Sequence, residues 1–108
     1  MAKRMYVMLA PIRLRDGVGE AALVAASDTF QASFVARQHG ITERLLLKAK
    51  DGSYADLVFF ASKDDADRVV AAEATSQECL EYFKIMEAPD PNLPDMGVLS
   101  FEHVKTYE

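Results

Sequence analysis

This sequence predicts an α+β fold, a four-stranded antiparallel sheet with two helices on one face. Three observations predict it. Apolar residues follow strand and helix periods in the order strand, helix, strand, strand, helix, strand. Asp51-Gly52, between two apolar runs, is a strong hairpin signal. Pro89, Pro91 and Pro94 stiffen a late connection that fits neither helix nor strand.

The elements justify themselves in order. Met5 to Leu14 is the first strand, apolar on both parities, with Pro11 interrupting its pairing. Asp16-Gly17-Val18-Gly19 is a turn. Glu20 to His39 is a helix, because Leu23, Ser27, Phe30 and Phe34 fall on one stripe. Glu20 suits its first turn, His39 its last, and Gly40 its left-handed end. Thr42 to Lys50 and Ser53 to Ala61 are strands joined by a two-residue type I′ turn at Asp51-Gly52. That turn sets Leu47 opposite Asp56 and Leu45 opposite Val58. It also puts Arg44, Leu46 and Lys48 on the face of Leu57 and Phe59. Ser62 caps a second helix reaching about Glu87, with Ala66, Val69, Val70, Leu80, Phe83 and Met86 as its apolar positions. Thr75-Ser76 marks a break or a second start within it. Val98 to Tyr107 is the last strand.

Composition narrows the function classes. At 108 residues the chain is one domain. Twelve Lys and Arg against 17 Asp and Glu give a net charge of −5, the wrong sign for a nucleic-acid partner. No apolar run is long enough to span a membrane, no signal-peptide cleavage region is legible, and one cysteine, Cys79, fits a reducing cytoplasm. Two His and one Cys far apart in sequence make no metal spacing.

The βαββαβ order with right-handed crossovers gives the ferredoxin-like sandwich. One face of such a sheet is left uncovered, yet these strands do not alternate apolar with polar. Leu46, Leu57 and Phe59 alone would bring several hundred Å² of apolar surface to that face, on the order of 10 kcal/mol gross if buried. A twofold dimer, sheet against sheet, covers it most simply; a C-terminal strand or loop folded over it is the other solution.

The layout, and the junction Phe60-Ala61-Ser62-Lys63-Asp64-Asp65-Ala66 followed by Ser76, Leu80 and Phe83, resemble the dimeric α/β-barrel superfamily, and within it the small antibiotic-biosynthesis-monooxygenase-like proteins. The resemblance implies a homodimeric barrel with a hydrophobic pocket between sheet and helices in each subunit. It implies a small hydrophobic or aromatic ligand and, in some members, oxidation of aromatic polyketides without a cofactor. Phe60 stands where the family commonly has Trp, Val70 to Thr75 holds no His, and Ala10 replaces a polar residue of the first strand. Haem degradation would need that imidazole, so the expectation is no cofactor.

The residues that could carry chemistry follow from this. With Phe60 facing the helices, as the resemblance implies, Tyr54 and Asp56 face there too. A carboxylate beside a dry pocket has a raised pKa and can abstract a proton. Its plainer role is a rim group paired with a base or water. His103 shares parity with Leu99 and Phe101 and is the other candidate base, or a half-exposed sheet residue. Tyr6, Met8 and Phe34, with Tyr54 and Phe60, are the candidate ligand-binding residues, or simply core. Glu73 on the second helix is read as Asp56 is, as a base beside the pocket or, preferred, as a solvent-exposed residue. Gly17-Val18-Gly19-Glu20-Ala21-Ala22 has the form of a dinucleotide fingerprint, but a hairpin follows where a parallel strand is required. The expected function is a homodimeric small-molecule-binding protein, monooxygenase-like, or else a non-catalytic sensing or assembly module.

Overall fold

The structure, a computed structural model, describes residues 6–107; Met5 and the basic residues before it lie outside the described residues. Strands β1 (Tyr6–Ile12), β2 (Ile41–Lys48), β3 (Tyr54–Phe60) and β4 (Leu99–Glu102) form one sheet in the order β2-β3-β1-β4, with every pairing antiparallel. Helices α1 (Glu20–Ser33), α2 (Lys63–Glu73) and α3 (Gln77–Phe83) complete the fold. This is the ferredoxin-like arrangement that the element order predicts. Among the described residues no helix is long and apolar enough to cross a membrane.

The stripe on α1 is buried as its spacing requires: Leu23, Ser27, Phe30 and Phe34 are all closed to solvent. The helix itself is shorter than its pattern. It ends at Ser33, and a turn of 3-10 helix over Val35–Arg37 carries the chain on. Gly40 takes the left-handed conformation (φ +96°) as the chain enters β2 rather than at the helix end. Its carbonyl accepts a bond from the Ala61 N–H, at 2.8 Å.

Three corrections to the sequence reading matter for the site. First, the hairpin is one residue wider than a type I′ turn. Ala49 and Ser53 close it by a 2.8 Å bond, leaving Lys50, Asp51 and Gly52 as the loop. A type I′ turn needs positive φ at both central residues. Here Gly52 alone has it (φ +89°), while the Asp51 carboxylate accepts from the Ser53 N–H (2.9 Å) and hydroxyl (2.6 Å). The register becomes Arg44 opposite Val58, Leu46 opposite Asp56 and Lys48 opposite Tyr54. Arg44 and Leu46 therefore face the helices, and Leu45 and Leu47 face out, the reverse of the expectation.

Second, the break offered at Thr75-Ser76 is real, and the second helix is two helices. α2 is capped by Ser62, whose Oγ accepts from the Asp65 N–H (3.1 Å); α3 is capped by Ser76, whose Oγ accepts from the Cys79 N–H (3.3 Å). The new cap resets the phase. Cys79 and Tyr82 turn inward, while Val70, Leu80 and Phe83, expected in the core, are two-fifths or more exposed. Third, β4 is four residues long, not ten, so His103 lies beyond it. The chain after α3 instead pairs near the start: Glu87 N–H bonds Arg13 O (2.8 Å), and Arg15 N–H bonds Ile85 O (3.0 Å).

The outer face of the sheet is then apolar along three strands: Val7 and Leu9 of β1, Leu45 and Leu47 of β2, Leu57 and Phe59 of β3, joined by Leu99 and Phe101 of β4. Leu99 is 53% and Phe101 49% exposed, a contiguous patch of a kind that single subunits rarely leave wet.

Candidate functional site

Between the helices and the inner face of the sheet lies a cleft of about 1250 Å³. β1 and β3 furnish one wall with Tyr6, Met8, Asp56, Val58 and Phe60; Phe30 of α1, Val69 and Glu73 of α2, and Tyr82 of α3 furnish others. Four of the seven site residues expected from sequence are thus brought together: Asp56, Tyr6, Met8 and Phe60. They follow from β1 pairing with β3, Tyr6 opposite Phe60 and Met8 opposite Val58, on one face.

The other three lie elsewhere. Phe34 is core, 5% exposed, its ring stacked 5.4 Å from that of Phe30. Tyr54 stands at the far end of the sheet, where its hydroxyl donates to Glu20 Oε1 (3.0 Å) beside Lys48, itself 3.1 Å from the same oxygen. It lines a separate groove of about 420 Å³ by the hairpin turn. His103 is exposed, with Nε2 2.7 Å from Thr106 Oγ1, and does not line the cleft.

What the sequence reading missed is the partner of Asp56. Arg44 Nη2 lies 2.9 Å from Asp56 Oδ1, with only 7% and 10% of the two side chains exposed. The same nitrogen donates to Ser27 Oγ (2.8 Å) and to the Tyr82 hydroxyl (3.0 Å). Tyr82 in turn donates to Asp56 Oδ2 at 2.9 Å. The guanidinium also lies 5.2 Å from the ring centre of Phe30 and 5.5 Å from that of Tyr82, which stack on each other at 4.4 Å. Arg44 Nε and Asp56 Oδ1 make no hydrogen bond, so the pair is held by charge more than by alignment. Burial raises the Asp56 carboxyl above its ordinary range, and Arg44 and Tyr82 oppose that only in part. Burial, then the Asp56 charge, pushes the Tyr82 hydroxyl up as well.

Glu73 is the second departure. Instead of pointing into solvent it lines the cleft, and burial followed by repulsion from Asp56 raises it to about 7. It ends α2, where the helix dipole also disfavours a carboxylate. No ion pair or hydrogen bond reaches its carboxyl among the described residues. A carboxyl group that titrates near neutrality, in a cleft, can take and return a proton.

The sign of its contribution to stability follows. The folded state holds the Glu73 proton up to about pH 7 and the unfolded chain loses it near 4.5, so folding weakens as pH rises through that window. Glu73→Gln is expected to match the parent below pH 4.5 and to exceed it by up to about 3 kcal/mol above pH 7. Thermal melts of both proteins from pH 4 to 8 measure this. An unchanged difference across that range would remove Glu73 from the buried wall.

The Gly17-Val18-Gly19 turn is no dinucleotide cradle by topology: β1 pairs with β3 and β4, both antiparallel, and never with β2.

No family sequence model and no curated protein matches the chain; its likenesses are to solved structures. SnoaB, a cofactor-independent oxygenase from Streptomyces nogalater, aligns at TM-score 0.64 and 16% identity over 96% of this chain and 97% of its own. A Bordetella bronchiseptica protein, provisionally named an antibiotic biosynthesis monooxygenase, aligns at TM-score 0.65 and 19% identity, covering 95% of this chain and 100% of its own. A Nitrosomonas europaea protein of unknown function aligns at TM-score 0.65 and 14% identity, covering 100% and 97%. At such identities the likeness is one of fold. The chain has the fold of the antibiotic-biosynthesis-monooxygenase-like proteins, which is what its element order and its Phe60–Ala66 junction suggest.

Proposed function

We propose that this protein is a homodimer, joined through the outer face of its sheet, that binds a small hydrophobic or aromatic molecule in the cleft of each subunit. We further propose that it acts on that molecule as a cofactor-independent, monooxygenase-like enzyme. The observation that carries the reading is the cleft itself: apolar and aromatic walls that converge on Asp56, Glu73 and Tyr82. A base there removes a proton from an acidic C–H or O–H of the substrate. The electron-rich anion then reduces dioxygen: a CH2 carbon of the substrate becomes a carbonyl by taking one oxygen atom, and its two hydrogens leave with the other as water. Glu73 is the better base of the two acids, because Asp56 already holds Arg44 and Tyr82. The fold likeness to SnoaB supports the reaction class. The reading includes a cytoplasmic setting, with which the buried, unpaired thiol of Cys79 agrees.

The engagement of Asp56 also favours a second reading, a dimeric ligand-binding module without chemistry, in which Arg44, Asp56 and Tyr82 only hold the sheet to the helices.

Thermal shift with a panel of two- and three-ring hydroxylated aromatics tests both. A ligand at a hundredfold excess over its Kd should stabilise the protein by about 2.7 kcal/mol. Ligands that raise Tm and also drive oxygen uptake, lost in Glu73→Gln, are the expected result. Binding without oxygen uptake would leave the module; no shift across the panel would remove hydroxylated aromatics as the substrate class.

A further inference from the structure

The cleft sorts ligands by charge. Among the described residues its one deep cation, Arg44, is taken up by Asp56, Ser27 and Tyr82. Glu73 has no counter-charge among the described residues and lines the same cavity. Toward solvent the lining adds four more carboxylates, Asp67, Glu87, Asp90 and Asp95, against two further guanidinium groups, Arg13 and Arg15. Arg15 is partly spent on the Lys84 carbonyl, to which its Nε donates at 2.8 Å. Asp67 is paired with Lys63 at 2.8 Å. Among the described residues the lining holds six carboxylates and three guanidinium groups.

An anion entering as far as Glu73 would lose its water and meet a carboxylate that makes no ion pair among the described residues. Like charges brought together out of water cost several kcal/mol. A cation gains on both counts. It supplies the charge that Glu73 lacks, and the aromatic side chains of Tyr6 and Phe60 in the same walls suit an ammonium or its attached methylenes.

We propose that the ligand of this cleft is a hydrophobic amine, an aromatic body carrying a protonated nitrogen that pairs with Glu73, and that hydrophobic carboxylates are excluded. The inference rests on the proposed binding function alone and names its ligand class; it does not rest on the oxygenase chemistry, because a Glu73 engaged by an ammonium is no longer the free base.

Three probes of one shape separate the two: 1-naphthylmethylamine, 1-naphthalenemethanol and 1-naphthoic acid, titrated calorimetrically into the full chain at pH 8. The amine should bind at least tenfold tighter than the alcohol, and the acid weakest. Glu73→Gln should bring the amine within threefold of the alcohol and leave the alcohol's affinity within twofold. Asp67→Asn removes a carboxylate at the mouth and should preserve the amine's advantage, which distinguishes pairing with Glu73 from attraction by the net charge of −5. The inference is overturned, with cleft binding intact, if the acid binds as tightly as the amine or if the preference survives Glu73→Gln. Failure of all three probes to bind would instead overturn the binding function and the inference together.

Discussion

Asp56→Ala is expected to destabilise the fold by about 3–5 kcal/mol, the cost of leaving a buried guanidinium without its counter-ion. For a chain of about 100 residues, each kcal/mol moves Tm by roughly 4–8 °C, so the melt should fall by tens of degrees. The loss is not the worth of the ion pair. Removing both charges, as Arg44→Met with Asp56→Leu, should restore stability to near that of the parent, because packed apolar groups of similar volume replace a buried pair at little cost. Urea and thermal unfolding of both singles and the double measure the difference. If Asp56→Ala costs no more than an ordinary surface change, about 0.5 kcal/mol, the network around Arg44 is not buried as described.

Leu57→Glu should separate the proposed dimer. Leu57 is central on the outer face, paired with Leu9 on one side and Leu45 on the other. Twofold symmetry would bring two carboxylates into the interface, each desolvated at several kcal/mol. A dimer dissociation constant raised about a thousandfold or more corresponds to roughly 4 kcal/mol or above. Sedimentation velocity at micromolar concentration reads it directly. The parent should run as a dimer and the variant as a subunit that still melts cooperatively. A parent that runs as a stable monomer sinks the dimer before the variant is made.

The two variants probe opposite faces of one sheet, and the sequence exposed these faces unequally. Which residues of β1 and of β3 share a face was legible, because alternation within a strand needs no knowledge of its neighbour; that Phe60 turns to the helices came from the resemblance. Hence Tyr6, Met8, Asp56 and Phe60 fall on one wall as expected. The face of β2 was not, since it depends on the width of one turn. Asp-Gly is a good two-residue turn, yet Asp51 avoids the left-handed conformation by bonding Ser53, and Gly52 alone takes it. That single residue moved Arg44 from the outer face to the side of Asp56. Tyr82 was hidden for a similar reason. Read as one continuous helix, the segment places Phe83 inside; read from Ser76 as a fresh cap, it places Cys79 and Tyr82 there. The signal existed in Thr75-Ser76, but helical pattern alone does not say whether a polar pair interrupts a helix or merely faces water. Glu73 was a candidate whose exposed reading was preferred, and that preference failed for a third reason. Its burial comes from where the helix break falls and from the cleft, not from its own neighbours in sequence. His103 went the other way: apolar alternation ran on to Tyr107, while pairing with β1 stops at Glu102.

The same three-residue loop has a consequence for how the molecule is reached. Two closures of this hairpin lie one residue apart, and both satisfy a glycine at Gly52. Hairpins zip in microseconds, before distant segments arrive. Locally, then, the slipped hairpin is a genuine competitor, and it hides Leu45 and Leu47 while casting Arg44 out. The Asp51–Ser53 bonds favour the native closure locally, and the arrival of α1 and α3, bringing Ser27 and Tyr82 to the guanidinium, secures it. The buried charge that makes this core costly to build acts as the proofreader of its own register.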